Sequence, residues 1–210
     1  MRRLVAAIGL FLALALPPNA QPAASIALAQ PNRPQPQPVV LDPATTALLV
    51  LDLNARCEEA DQPCNRLVPM INRALPRFRD ANVLTVYTVS LDALGTPQGE
   101  VWSGFRPLGD NEVVIYPDGS DKFRGGELDE LLWERGVRTV IVTGASANDA
   151  VLYTASSAPR YYGYDVIIPM DGTVAANDYE YDYTMHQFTV ISSVANKFRF
   201  TTLDQISFTR

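Results

Sequence analysis

Histidine is nearly absent from this chain: one residue, His186, in 210. A lone imidazole leaves a histidine-rich metal centre and a Ser-His-Asp triad without support, and His186 reads as a surface or packing residue. Cysteine is almost as scarce, with only Cys57 and Cys64. A thiolate metal site usually needs three or four ligands, so the close pair reads better as a disulfide across a short loop, provided the chain is exported. Basic charge is in deficit: 17 Lys and Arg stand against 23 Asp and Glu, for a formal charge of −6. That balance argues against nucleic acid or anionic membrane surfaces as main partners. Long apolar runs are missing too. The longest, Leu4 to Leu16, is too short to cross a bilayer comfortably, and no internal repeat is visible.

What is present divides the chain in three. Arg2 and Arg3 precede the apolar run, Pro17 and Pro18 end it, and Ala27-Leu28-Ala29 supplies an A-x-A cleavage pattern. Residues 1–29 therefore read as a secretory signal peptide, with an uncleaved anchor as the rival reading. No cysteine follows the cleavage pattern, which argues against a lipid anchor. After cleavage the formal charge moves from −6 to −8 through loss of Arg2 and Arg3. A secreted or periplasmic location follows, with no stable membrane anchor. Residues 30–43 hold five prolines and three glutamines; such a segment buries little apolar surface and reads as a linker. Residues 44–210 are the length of one ordinary domain with room for a real core.

Within that domain, short apolar runs alternate with helical patterns. Ala47–Leu51, Val83–Val89, Val113–Tyr116, Thr139–Thr143, Val166–Ile168 and the weaker Phe198–Thr202 read as strands. Continuous apolar strands indicate a parallel sheet covered on both faces. Leu67, Ile71, Ala74, Leu75 and Phe78 fall at helical spacing around Pro76, which is expected to kink the helix. Leu128, Leu131 and Leu132 mark a second helix ended by Gly136. Asn148–Tyr162 and Tyr179–Ala195 are a third and a fourth. The expected fold is a three-layer α/β/α protein with a doubly wound, mainly parallel sheet of about six strands. Sites in such folds lie beyond the carboxyl ends of the strands, at a switch point. This directs attention to Asp52, Tyr116–Lys122 and Gly144–Ala150.

Those segments resemble the isochorismatase-like (cysteine hydrolase) superfamily. Thr46-Ala47-Leu48-Leu49-Val50-Leu51-Asp52-Leu53-Asn54 is similar to its first strand, which ends in Asp-x-Gln/Asn. Phe123-Arg124-Gly125-Gly126-Glu127-Leu128-Asp129 resembles its F-x-G-T-x-L-D segment. Gly136 to Ala145 resembles the strand entering its site, and Thr154, Gly163-Tyr164-Asp165-Val166 and Asp171-Gly172 continue the match. The resemblance implies an Asp-Lys-Cys triad in which the cysteine attacks an amide carbon. Asp52 matches the aspartate. At the cysteine position of the Gly-Val-x-Thr-Asn-x-Cys-Val pattern, this chain reads Gly144-Ala145-Ser146-Ala147-Asn148-Asp149-Ala150-Val151. Ala150 has no nucleophilic atom, so cysteine-dependent amidase activity is not expected. The resemblance also implies a cis peptide near Ala145-Ser146.

The lysine is displaced. Ungapped counting puts it at Pro117, whereas the nearest lysine is Lys122. Two readings stand: a site lysine brought in by a shifted loop, or a solvated lysine paired with Asp118 or Asp121. Asp52 is either a general acid or base with a pKa raised by burial, or a carboxylate capping a neighbouring segment. Asn54, Ala145, Ser146 and Asp149 join the candidate binding set. Ser146 is a nucleophile only if Asp52 lies beside it, and Asn148 is a fair helix N-cap. Trp102 and Phe105 either form an apolar lid over a pocket or cover the sheet edge. Tyr179, Tyr181 and Tyr183 fit a helix entry or a contact between copies, and the resemblance implies a homo-oligomer. No metal site and no cofactor are expected. The expected function is cysteine-independent hydrolysis of a small molecule using Asp52. The resemblance extends to vinyl-ether cleavage by members lacking the cysteine. The alternative is an inactive module that binds a small molecule or a protein.

Overall fold

The computed structural model describes residues 33–106 and 108–209. The expected signal peptide lies outside the described residues, as do the first residues of the expected linker. Among the described residues no helix is long and apolar enough to cross a membrane.

The strands are β1 (Val39–Leu41), β2 (Thr46–Leu51), β3 (Leu84–Thr88), β4 (Glu112–Ile115), β5 (Thr139–Ala145), β6 (Asp165–Pro169), β7 (Thr173–Val174), β8 (Phe198–Thr201) and β9 (Ile206–Phe208). The α-helices are α1 (Val68–Asp80), α2 (Glu127–Glu134), α3 (Leu152–Tyr161) and α4 (Asp178–Val190). Six strands form a parallel sheet in the order β4-β3-β2-β5-β6-β8, and short β7 adds to β5 as a seventh. The strand pattern predicts this architecture, and the structure adds the short β7.

The side-chain alternation of β2 explains the layers. Leu48 and Val50 point into a cluster with Val68, Ile71, Leu75 and Phe78 of α1. Ala47, Leu49 and Leu51 point the other way, into a cluster with residues of α2, α3 and α4. Because successive side chains leave opposite faces of a strand, a run buried at every position demands cover on both sides. Each large side chain so buried contributes about 1.5–3 kcal/mol. Pro76 lies within α1 on its exposed face, and the helix continues to Asp80. Its missing N–H costs the helix one hydrogen bond.

The segment expected as linker is more ordered at its end than its composition implies. Val39–Leu41 pairs in parallel with Ile206–Phe208, and Val39, Leu41 and Ile206 are buried in the α1-side core. Three consecutive apolar residues next to five prolines were enough for one short strand.

Chain order fixes where a site can form. After β2 the chain builds β3 and β4 on one side, then crosses back to place β5 on the other side of β2. Loops leaving β2 and β5 therefore diverge, and a crevice opens at their carboxyl ends. Leu51 and Gly144 are register partners there. Gly144 has φ +121°, and a Cβ on it would stand 2.1 Å from the Leu51 carbonyl oxygen. Only glycine lets the two strand ends approach this closely.

Candidate active site

Asp52 follows β2 directly. Its φ is 55°, a left-handed conformation uncommon outside glycine. Its N–H donates to the Thr88 carbonyl at 3.0 Å, which ties the turn to the end of β3. The side chain then faces into the switch-point crevice. The Thr88 hydroxyl donates to one carboxylate oxygen at 3.2 Å. The other oxygen lies 2.8 Å from Lys122 Nζ.

Lys122 is the most informative side chain in the site. It is fully buried, a costly place for an ammonium without partners. It has two: the Asp52 carboxylate and the Gly119 carbonyl, to which Nζ donates at 3.0 Å. Helix α3 fixes its backbone. The Lys122 N–H donates to the Thr154 hydroxyl at 3.1 Å, and that hydroxyl donates onward to the Ser120 carbonyl at 3.3 Å. One turn further along, Ser157 donates to Asp121, whose other oxygen accepts from the Phe123 N–H. Asp118 pairs with Arg124. The carboxylates weighed as local partners of Lys122 are thus engaged elsewhere, and the lysine reaches Asp52. Burial pushes the Asp52 carboxyl above the ordinary carboxylate range; Lys122 and Thr88 pull the other way, and Asp149 adds to the rise.

On the β5 side, the peptide between Ala145 and Ser146 is cis, as the resemblance implies. A single π-helical turn, Ala147–Val151, follows and leads into α3. Ala150 is buried in the core with Val151 and Phe123, and is not among the residues that line the crevice. Asn148 sits inside this turn, not at a cap, and its buried side-chain oxygen has no partner among the described residues. The turn enters from extended Ser146 without a side-chain cap bond. The N-cap expected at Asn148 is therefore corrected: the π turn displaces the helix start.

A cavity of about 350 Å³ joins these parts, lined by Asp52, Asn54, Ala145, Ser146 and Asp149 together with Arg56, Gln62, Cys64, Ser90, Asp92 and Gln98. Cys57 and Cys64 form a disulfide that closes one wall, and Cys57 Sγ lies 3.9 Å from the Asp52 carbonyl oxygen. Both cysteines of the sequence are consumed in it. Asn54 accepts from the Arg56 N–H and so caps the short helical turn at the start of this wall.

Trp102 and Phe105 are elsewhere. Phe105 is buried against Tyr87, with ring centroids 5.4 Å apart, and Trp102 packs edge-on to Phe105 at 5.0 Å. Both belong to the α1-side core, and neither lines the cavity. Of the two readings offered by the sequence, a lid over a pocket or cover for the sheet edge, the rings follow the second, because the loop folds them inward over the edge of the sheet. Arg56, Gln62, Asp92 and Gln98 were missed by the sequence reading. They lie on exposed loops where nothing in the local pattern separates a wall residue from a solvated one. A second cavity of about 380 Å³, beside α1, shares no residue with the first. Its Arg77 is spent on the carbonyls of Leu203, Asp204 and Ile206, and it holds no buried ion pair. Among the described residues no cluster suits a metal ion.

A doubly wound α/β domain with a buried Asp-Lys pair at its switch point defines the class. The comparisons narrow it. The family model for the isochorismatase domain matches residues 46–196. The chain belongs to that family. It is 28% identical over 165 residues to the uncharacterized isochorismatase family protein YwoC of Bacillus subtilis strain 168, covering 69% of this chain and 86% of that one. The nicotinamidase SaPncA of Staphylococcus aureus has the same fold, with a TM-score of 0.65 and 22% identity over 76% of this chain and 99% of that one. The N-carbamoylsarcosine amidase of Thermoplasma acidophilum is similar at a TM-score of 0.64 and 22% identity, covering 76% of this chain and 97% of that one.

Proposed function

We propose that this protein is an exported member of the isochorismatase family that hydrolyses a small molecule without a cysteine nucleophile, using Asp52 as general acid or base. The observation that carries the reading is the Asp52–Lys122 pair, 2.8 Å apart, with Asp52 on the wall of the crevice and Lys122 buried behind it. A carboxyl raised by burial holds a proton closer to neutral pH than a solvated one, as proton transfer to a substrate requires. Lys122 stabilises the anion that forms when the proton leaves. The cysteine position is taken by Ala150, and both thiols are locked in the disulfide. Bond cleavage by protonation, as in vinyl-ether hydrolysis, needs no nucleophilic side chain and fits this inventory.

The homo-oligomer remains part of the proposal. Tyr153 and Tyr161 of α3 and Tyr179 and Tyr183 of α4 are exposed, and a second copy would cover them.

The test is a hydrolase screen of the secreted chain with amides, esters and vinyl ethers, beside Asp52→Asn. Turnover should drop about 100-fold or more in the variant. Unchanged turnover, with circular dichroism showing a folded variant, ends the Asp52 mechanism. A folded wild type inert towards every class favours the binding module.

A further inference from the structure

We propose that Thr154 is the positioning residue of this site: its hydroxyl holds the backbone of Lys122 where the ammonium meets Asp52. The inference rests on reading that pair as the working part of the site. The need for such a residue comes from the lysine. Lys122 leaves a segment, residues 116–126, with neither strand nor α-helix of its own. Its long, flexible stem brings the ammonium within 2.8 Å of Asp52 only while the backbone at its root stays in place.

One hydroxyl supplies that hold. Thr154, in the first turn of α3, accepts from the Lys122 N–H at 3.1 Å and donates to the Ser120 carbonyl at 3.3 Å. Both tasks suit a hydroxyl, which is donor and acceptor at once. Thr154 and Lys122 are buried, so water reaches the Lys122 N–H only if the segment moves. The other grips of α3 fall on neighbouring residues. Ser157, on the same helix face, donates to Asp121, and Asp121 accepts from the Phe123 N–H at 3.0 Å. The Phe123 ring stacks on Tyr162 at 4.6 Å. None of these bonds replaces the one to the Lys122 N–H.

The consequence falls on Asp52. Lys122, the Thr88 hydroxyl and Asp149 act on its carboxylate, with Arg56 and Asp92 on the same cavity wall. Of these, Lys122 is the one that Thr154 touches. A lysine that draws back removes positive charge, and burial and Asp149 then keep the proton on Asp52 to higher pH.

The experiment is a carbon-13 NMR titration of the Asp52 carboxyl in the intact protein, assigned by its loss in Asp52→Asn. Thr154→Val should raise the midpoint by about one pH unit, the lower end of what a nearby cation is worth to a carboxylate. Thr154→Ser keeps the hydroxyl and should titrate as the wild type does. In a Lys122→Met background, Thr154→Val should move the midpoint no further, since the cation through which it acts is gone. Thr154→Ala is read in the same way where the valine variant does not fold. The role is overturned if these variants lower Tm but leave the Asp52 midpoint in place, if serine fails to keep the wild-type midpoint, or if valine shifts it equally without Lys122. Titration needs no turnover, so the two readings fail separately. A shifted midpoint with turnover indifferent to Asp52→Asn removes the mechanism and keeps the positioning role. An unshifted midpoint with Asp52-dependent turnover does the reverse.

Discussion

The Asp52–Lys122 pair carries opposing energies within one contact. Lys122 is wholly enclosed and the Asp52 side chain is 21% exposed, so both have lost most of their hydration. Removing one partner leaves the other charged and unpaired. Lys122→Met should lower stability at pH 7 by about 2 kcal/mol, discounted from a fully buried pair for the exposure of Asp52. Asp52→Asn with Lys122→Met should recover most of that loss, since neither charge then remains. The pH dependence has a definite sign. The folded-state pKa of Asp52 lies above its unfolded value, so the native state binds its proton more readily. Its contribution to stability is therefore greatest below the unfolded value and falls as pH rises through the folded one. Without Lys122 the rise is larger, and the Lys122→Met deficit should shrink on going from pH 8 to pH 4. Urea unfolding of the wild type and both variants at the two pH values reads this. A deficit independent of pH would mean that lost packing, not lost charge, is responsible.

At the scale of elements, the decisive feature is how closely β2 and β5 meet before their loops part. Gly144 has positive φ and no space for a Cβ, since the Leu51 carbonyl oxygen, nitrogen and carbonyl carbon all lie within 3 Å of where it would stand. These are backbone atoms of a central strand and cannot swing aside. Gly144→Ala should cost about 3 kcal/mol, combining backbone strain with overpacking. It should also impair any ligand binding at Asp52, which follows Leu51 directly. Gly136→Ala, at positive φ with open space around it, is the control and should cost less. Equal losses in thermal unfolding would refute the close-approach argument. These elements were largely legible in sequence, because a strand buried on both faces writes itself as an unbroken apolar run. Asp52 was legible as the polar stop to such a run. The reach of Lys122 was not, since it depends on Thr154 and Ser157 of α3 gripping the loop from 34 and 36 residues away in sequence. The inward turn of Trp102 and Phe105 was legible only as one of two readings, and the pairing of β1 with β9 was not legible. Apolar side chains look alike in sequence whether they cover a ligand or a core.

For the whole molecule, the loop between β2 and α1 is a wall with neither strand nor α-helix of its own, and it supplies nearly half of the cavity lining. Two short 3-10 turns, Ala55–Glu58 and Pro63–Arg66, cannot hold its shape by themselves. Beyond Asp52, its hydrogen bonds to the rest of the fold are Ala55 N–H to the Glu100 carbonyl, Trp102 N–H to the Leu53 carbonyl, the Ser103 hydroxyl to Glu58, and Arg66 to the Ala175 carbonyl. The Cys57–Cys64 disulfide, spanning seven positions, supplies the missing constraint by removing open conformations from the unfolded chain. For so short a loop the chain-entropy contribution is about 2 kcal/mol. A domain of this size loses about 2–4 °C in Tm per kcal/mol, so Cys57→Ala with Cys64→Ala should melt about 4–8 °C lower. The same change should weaken ligands of the crevice more than it disturbs the sheet, because Arg56 and Gln62 ride on the freed loop while the core clusters lie beneath it. Calorimetry with ligand titration separates the two effects. An unchanged Tm would show that the loop is held by its packed turns, and that the disulfide adds nothing to the fold.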